Sequence, residues 1–189
     1  MTTTKPSFLG LLNAIAIGES SAEPLFSAWA STTQDEELAK TLRFVGMREG
    51  EHGKAFAKRM LELGYEVRWP DPAGPEPKRL EVACSPDHSD VAKFEALGLG
   101  MGYGETDIFD SMFNDKNIDP VTGGLLGRYI AEERDSLRML AADYQRLKSV
   151  EPAGPMKTSK AGAPKKAVKK TTKKKAKSAA GRSAASAKK

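Results

Sequence analysis

The chain has almost no cysteine: Cys84 is the only one among 189 residues. No disulfide can form within it, and no set of thiolates can hold zinc or a rubredoxin-type iron. Long apolar runs are missing as well. No stretch approaches the roughly 18 residues of a membrane span, so no membrane-spanning segment is expected. Phe8 to Gly18 comes nearest to a signal-peptide core, but Asn13 interrupts it and Lys5 is its only upstream basic side chain. Its periodicity continues into Phe26 and Trp29, so it reads as part of a longer helix. A reducing cytoplasm is the expected compartment. Acidic residues are absent from the last stretch: residues 157–189 hold 13 Lys and Arg, no Asp or Glu, and no aromatic side chain.

That absence splits the charge. The whole chain carries +5, but residues 1–156 carry −8 and the remainder +13. We therefore expect a globular domain over residues 1–150 and a separate Lys/Ala-rich tail over residues 151–189. The tail has too few apolar residues to bury a core, so it is predicted to be disordered.

Hydrophobic periodicity predicts an all-α domain of four helices. The first covers about 7–31, with Phe8, Leu12, Ile15, Glu19, Ala22, Phe26 and Trp29 on one stripe. Pro24 cannot donate to the carbonyl of Ser20, which predicts a kink after Glu19. The second covers about 34–63, with Thr33 and Glu36 as a capping box and Gly64 as a stop. Its stripe is Leu38, Leu42, Val45, Glu49, His52, Phe56 and Leu63. Residues 65–88 contain five prolines and are expected to form a non-helical crossover, with His88 at the surface. A third helix is expected over 89–114, carrying Glu105. A fourth is expected from Asp119 as cap and Pro120 in the first turn to about Leu147. Val121, Leu125, Glu132, Asp135 and Met139 are expected on its inner face.

One acidic residue recurs midway along each stripe: Glu19, Glu49, Glu105 and Glu132. A carboxylate there is costly to bury alone. His52 and Asp135 lie three positions after Glu49 and Glu132, on the same helical faces. Glu19 precedes Glu49 by 30 residues and Glu105 precedes Glu132 by 27. Folding each hairpin at its turn brings each pair to similar depth. Two like charges about 4 Å apart repel by roughly 4 kcal/mol at an effective dielectric near 20. Such a layer needs cations, or an arginine. Arg128, four residues before Glu132, could supply a metal-free salt-bridge cluster instead. Tyr103 and Tyr129 flank the motifs and are expected around the ligands.

The order Glu, Glu-x-x-His, Glu, Glu-x-x-Asp resembles the ligand pattern of ferritin-like di-iron carboxylate proteins, with rubrerythrins nearest. The resemblance covers about residues 7–148, without a rubredoxin module. It implies a four-helix bundle with a long crossover between helices 2 and 3. It also implies two metal ions held by Glu19, Glu49, His52, Glu105, Glu132 and Asp135. Asp135 stands where the family has a second histidine. Iron is the expected metal, with manganese at one or both positions as the variant. The implied activity is oxidase or peroxidase chemistry. Alternatives are a mini-ferritin-like protein that protects DNA, a metal-free structural protein, and a hydroxylase of a nucleic-acid base.

The tail resembles those of linker histones and some nucleoid proteins. Lys165, Lys166, Lys169, Lys170, Lys173, Lys174, Lys175 and Lys177 are expected to contact phosphates without reading sequence, which would place the protein at the nucleoid. Gly46, Gly50 and Gly53 in helix 2, and Gly98, Gly100, Gly102 and Gly104 in helix 3, are unusually dense for helices. They fit close helix packing, including a homodimer or larger homo-oligomer face, or local unwinding beside Glu105.

Overall fold

A computed structural model describes residues 5–70, 76–100, 109, 112 and 114–150. Glu105, Tyr103 and the whole basic tail lie outside these residues. Among the described residues there are five α-helices and no strand: α1 Leu9–Thr32, α2 Glu36–Glu62, α3 Glu76–Cys84, α4 Asp90–Leu97 and α5 Pro120–Val150. None is long and apolar enough to cross a membrane. Residues 1–152 form one compact unit.

The caps explain where the helices begin and end. Asp35, not Thr33, caps α2: its carboxylate accepts from the Leu38 amide at 2.8 Å. Thr33 instead accepts from the Asp35 amide and donates to Asp90 at 2.6 Å, tying the α1–α2 turn to α4. A carboxylate is favoured there because Arg146 grips it with two bonds of 2.7 and 2.8 Å. That contact with Arg146 holds Asp35 down at about 2. Asp119 caps α5 through the Val121 and Thr122 amides, with Pro120 as first helical residue. Gly64, at φ +83°, ends α2 as expected.

Two expectations are corrected. The crossover is not free of helix, because Glu76–Cys84 forms α3. Pro77 sits in the first turn of that helix, where its missing N–H is harmless. The third expected helix does not run unbroken to 114. It stops at Leu97, where Gly98 turns left-handed at φ +70° and receives the helix end. Pro24 lies inside α1, which is assigned as one helix from Leu9 to Thr32.

α1 and α2 pack antiparallel, and the α2 glycines set how closely. A Cβ on Gly46 would meet Phe26, one on Gly50 the Glu23 carboxylate, and one on Gly53 the side chain and backbone of Ser20. The helices touch within one chain here, so these three glycines need no second subunit. α5 runs antiparallel to α2: Arg48 reaches Asp135 at 2.9 Å and Arg59 reaches Asp119 at 2.9 Å.

The core divides in two. At one end Trp29, Leu38, Leu42, Phe94, Leu140 and Tyr144 pack together. Trp29 stands edge-on to Phe94 at 4.7 Å between ring centroids and donates its indole N–H to Asp90. At the other end Leu12, Phe56, Met60, Leu126 and Ile130 form a second cluster. On α1, α2 and α5 alike, the chain passes from one cluster to the other across a polar level holding Glu19, Glu49, His52 and Glu133.

The glycine contacts generate opposite expectations for one substitution. Gly124 has nothing within 4 Å of a built Cβ, so Gly124→Ala should stabilise by about 0.5–1 kcal/mol through helix propensity. Gly53→Ala must push Ser20 and α1 away and should destabilise by about 1–3 kcal/mol despite the same propensity gain. Urea unfolding of both variants checks the sign.

Candidate metal centre

The polar level is built by side chains from three helices. Glu19 comes from α1, Glu49 and His52 from α2, and Glu132 and Glu133 from α5. Glu19, Glu49 and His52 are all buried. His52 is the hub. Its Nε2 lies 2.7 Å from Glu132 Oε2. Its Nδ1 lies 3.5 Å from Glu19 Oε2 and 3.4 Å from Glu133 Oε1. Those last two are ionic contacts without hydrogen-bond geometry. Glu19 Oε2, His52 Nδ1 and Glu133 Oε1 are each buried with no hydrogen-bond partner.

Buried polar atoms are nearly always paired, because an unpaired one costs about 1–3 kcal/mol. Here three orphans face one another, and the ligand atoms of Glu19, His52 and Glu133 all lie within 4.8 Å. One cation among them would satisfy all three. The set is also chemically suited to a metal: two carboxylates and an imidazole. Metal-bound imidazoles usually donate their other ring N–H to a carboxylate, and Glu132 stands where that acceptor is required. The residues present therefore fit a metal ion.

The charges of the metal-free centre point the same way. Burial pushes Glu49 up, reinforced by the neighbouring Glu19 carboxylate, to about 11. It is a neutral carboxyl at pH 7. Burial alone would lower His52, but Glu133, Glu19 and Glu132 outweigh it and raise the imidazole to about 10. Burial would likewise raise Glu19, but contacts with His52, Glu49 and Tyr129 bring it below the usual carboxylate value. Glu133 is raised by burial, with Glu19 adding repulsion against the opposing pull of His52. The Tyr129 hydroxyl donates to Glu19 Oε1 at 2.9 Å, and burial raises its phenol. Without a metal, protons hold this cluster together.

The structure brings Glu19, Glu49, His52 and Glu132 into one layer, with Tyr129 beside them. Asp135 is not in that layer. It is 40% exposed and bonds Arg48 at 2.9 Å and Arg138 at 3.0 Å. Glu133 faces the centre instead. The reason is helical phase. The buried positions of α5 are Thr122, Leu126, Tyr129, Ile130, Ser136, Leu140, Asp143 and Tyr144. Glu133, four residues after Tyr129 and three before Ser136, lies on the same face. The face assigned from sequence was turned by one residue, and Val121, expected inside, is 63% exposed. Glu132, at the flank, meets His52 on one oxygen and Arg128 on the other at 2.9 Å. Tyr129 and Ser136 share the face of Glu133, but Ser136 is polar, so no signal in the sequence singled Glu133 out. His88 is exposed, as expected.

A cavity of about 820 Å³ lies elsewhere, against Lys5, Ser7, Phe8 and Arg59. Its arginine is already paired with Asp119 and Glu62.

Because Glu49 and His52 both hold protons at pH 7, a metal that displaces them should release up to about two protons per site. Affinity should therefore rise with pH between about 6 and 9. Calorimetry in buffers of different ionisation enthalpy measures the release. Glu49→Gln mimics the neutral carboxyl and should leave metal-free stability nearly unchanged while weakening metal binding by about tenfold or more.

Among known proteins, no family model, no curated protein and no solved structure matches this chain. The site is therefore known through its own geometry.

Proposed function

We propose that the domain is a non-haem carboxylate–histidine iron protein acting as an oxidase or peroxidase. The observation that carries this is the convergence of three buried, partnerless ligand atoms from Glu19, His52 and Glu133. Glu19, His52 and Glu133 would hold one ion. Glu49, whose carboxyl is raised by burial and by the nearby Glu19, is the one available to a second, with Glu105 as its proposed companion outside the described residues. Glu132 fixes the imidazole so that Nδ1 faces inward. Tyr129 orients Glu19 and closes the layer from the α5 side. Iron suits the mixed donor set best and manganese second. When bound, iron supplies one-electron exchange with oxygen or peroxide. The ferritin-like arrangement belongs to the same proposal. It is supported by the antiparallel α1–α2 and α2–α5 pairs and by carboxylates at one depth.

A metal-free ion-pair cluster is the second reading. The chain Arg128–Glu132–His52, with distances of 2.9 and 2.7 Å, favours it. It leaves the three orphaned atoms unexplained.

Ferrous iron added in air should produce a ferric charge-transfer absorption that saturates near two ions per chain. Glu49→Ala and Glu133→Ala should remove or halve it, whereas Asp135→Asn should not, since Asp135 pairs with arginines. Absence of binding in the intact protein would favour the ion-pair cluster.

The tail extends the proposal. Thirteen positive charges without an aromatic or acidic residue suit phosphate backbones and cannot stack on bases. We assign it to non-specific nucleic-acid tethering near the nucleoid. Deleting residues 157–189 should abolish duplex binding and leave iron oxidation unchanged. In the full chain, log K should fall steeply with log salt, by about 0.9 per phosphate neutralised. Filter binding across a salt series measures the slope, and duplexes of unrelated sequence should bind alike.

A further inference from the structure

A small cavity of about 90 Å³ opens between α2 and α5 directly beside the polar layer, lined by Glu51, His52, Ala55, Leu125, Arg128 and Tyr129. Its inner wall is made by the rings of His52 and Tyr129, edge-on with centroids 5.1 Å apart. Both rings touch the proposed ligands: His52 is one, and Tyr129 bonds Glu19. Ala55 and Leu125, each partly buried, form its sides. The rim is charged. Glu51 is exposed, and Arg128 is held to Glu132 by a 2.9 Å bond from its Nε while its side chain remains 68% exposed. The guanidinium is thus held by one bond at a largely exposed position.

Size decides what can use this space. Liquid water occupies about 30 Å³ per molecule, so the cavity holds about three waters. An apolar cavity of about 150 Å³ takes up benzene. At about 90 Å³ the cleft is too small to enclose a nucleobase or another aromatic ring in full.

We infer that this cleft is a size-selective port to the centre, admitting molecules of two or three heavy atoms, with Arg128 latched on Glu132 across its mouth. The inference rests on the metal-centre reading above. Leu125 and Ala55 set the bore, and Arg128 sets how often the mouth is clear. Neither Leu125 nor Ala55 supplies a ligand, so they can be changed without touching the donor set. A corollary is that the centre does not oxidise a base of the nucleic acid held by the tail; tether and chemistry are separate.

The test uses the full-length protein loaded with cobalt(II), whose visible bands report ligands that reach the metal. Azide, with three heavy atoms, should perturb these bands, and benzoate at the same concentration should leave them unchanged. Leu125→Trp should slow azide association by about tenfold or more, with cobalt stoichiometry unaltered. Ala55→Leu, a milder filling, should slow it less and keeps the test alive if the tryptophan variant misfolds. Arg128→Ala should speed association several-fold. Benzoate binding as readily as azide would overturn the port. So would azide rates equal to wild type in the filled variants. An unchanged rate in Arg128→Ala would overturn the latch. Failure of the wild-type protein to bind cobalt would overturn the metal centre itself, and the port with it. Normal cobalt binding with unchanged azide rates would overturn the port alone.

Discussion

Everything at the centre of this domain depends on how one imidazole is held. His52 is fixed through Nε2 by Glu132, and that bond leaves Nδ1 aimed between Glu19 and Glu133. An imidazole free to rotate could satisfy either carboxylate and leave fewer atoms unpaired. Fixed as it is, it leaves three buried ligand atoms facing one another without hydrogen-bond partners. Repulsion among the carboxylates is then balanced by protons on Glu49 and His52, which a metal can replace.

The two apolar clusters make this costly layer tolerable. Trp29, Phe94 and Leu140 anchor one end of α1, α4 and α5, and Leu12, Phe56 and Leu126 anchor α1, α2 and α5 at the other. Burial on both sides keeps the helices in register, so the polar level cannot relax by sliding toward solvent. Gly50 and Gly53 then bring α2 against Glu23 and Ser20 of α1. This close approach places Glu19 within reach of His52. Function at the centre is thus tied to helix spacing, and the spacing to the absence of two side chains.

Outside the layer the charges are arranged differently. Arg48 and Arg138 take up Asp135, Arg59 takes up Asp119, and Arg146 takes up Asp35. All but Arg138–Asp135, which lies within α5, stitch α5 to α2 and its preceding turn, where partial solvation lowers the desolvation cost. Acidic residues of the domain therefore serve two ends. Those paired with arginine fix the helices, and those facing His52 make up the candidate metal centre.

How much of this was legible in the sequence varied by helix. On α1 and α2 the stripes through Glu19, Glu49 and His52 named the buried faces, because strong apolar residues flank each polar one on both sides. On α5 the neighbours of the motif are polar in both phases, Glu132 and Glu133 being adjacent. Periodicity could not choose between faces 100° apart. Packing of Tyr129 and Ser136 against the core chose Glu133 and sent Asp135 to the arginines. Likewise, Gly98 as a left-handed stop and Pro77 as a helix start were local signals overridden in the reading by the length of the surrounding pattern. The sequence by itself determined the all-α class, the caps at Asp119 and Gly64, and the charge split between domain and tail, since these follow from local chemistry and composition. The identity of the inward carboxylate on α5, the orphaned atoms at the centre and the width of the cleft beside them were decided only by tertiary structure. Each depends on the rotation and separation of helices distant in sequence.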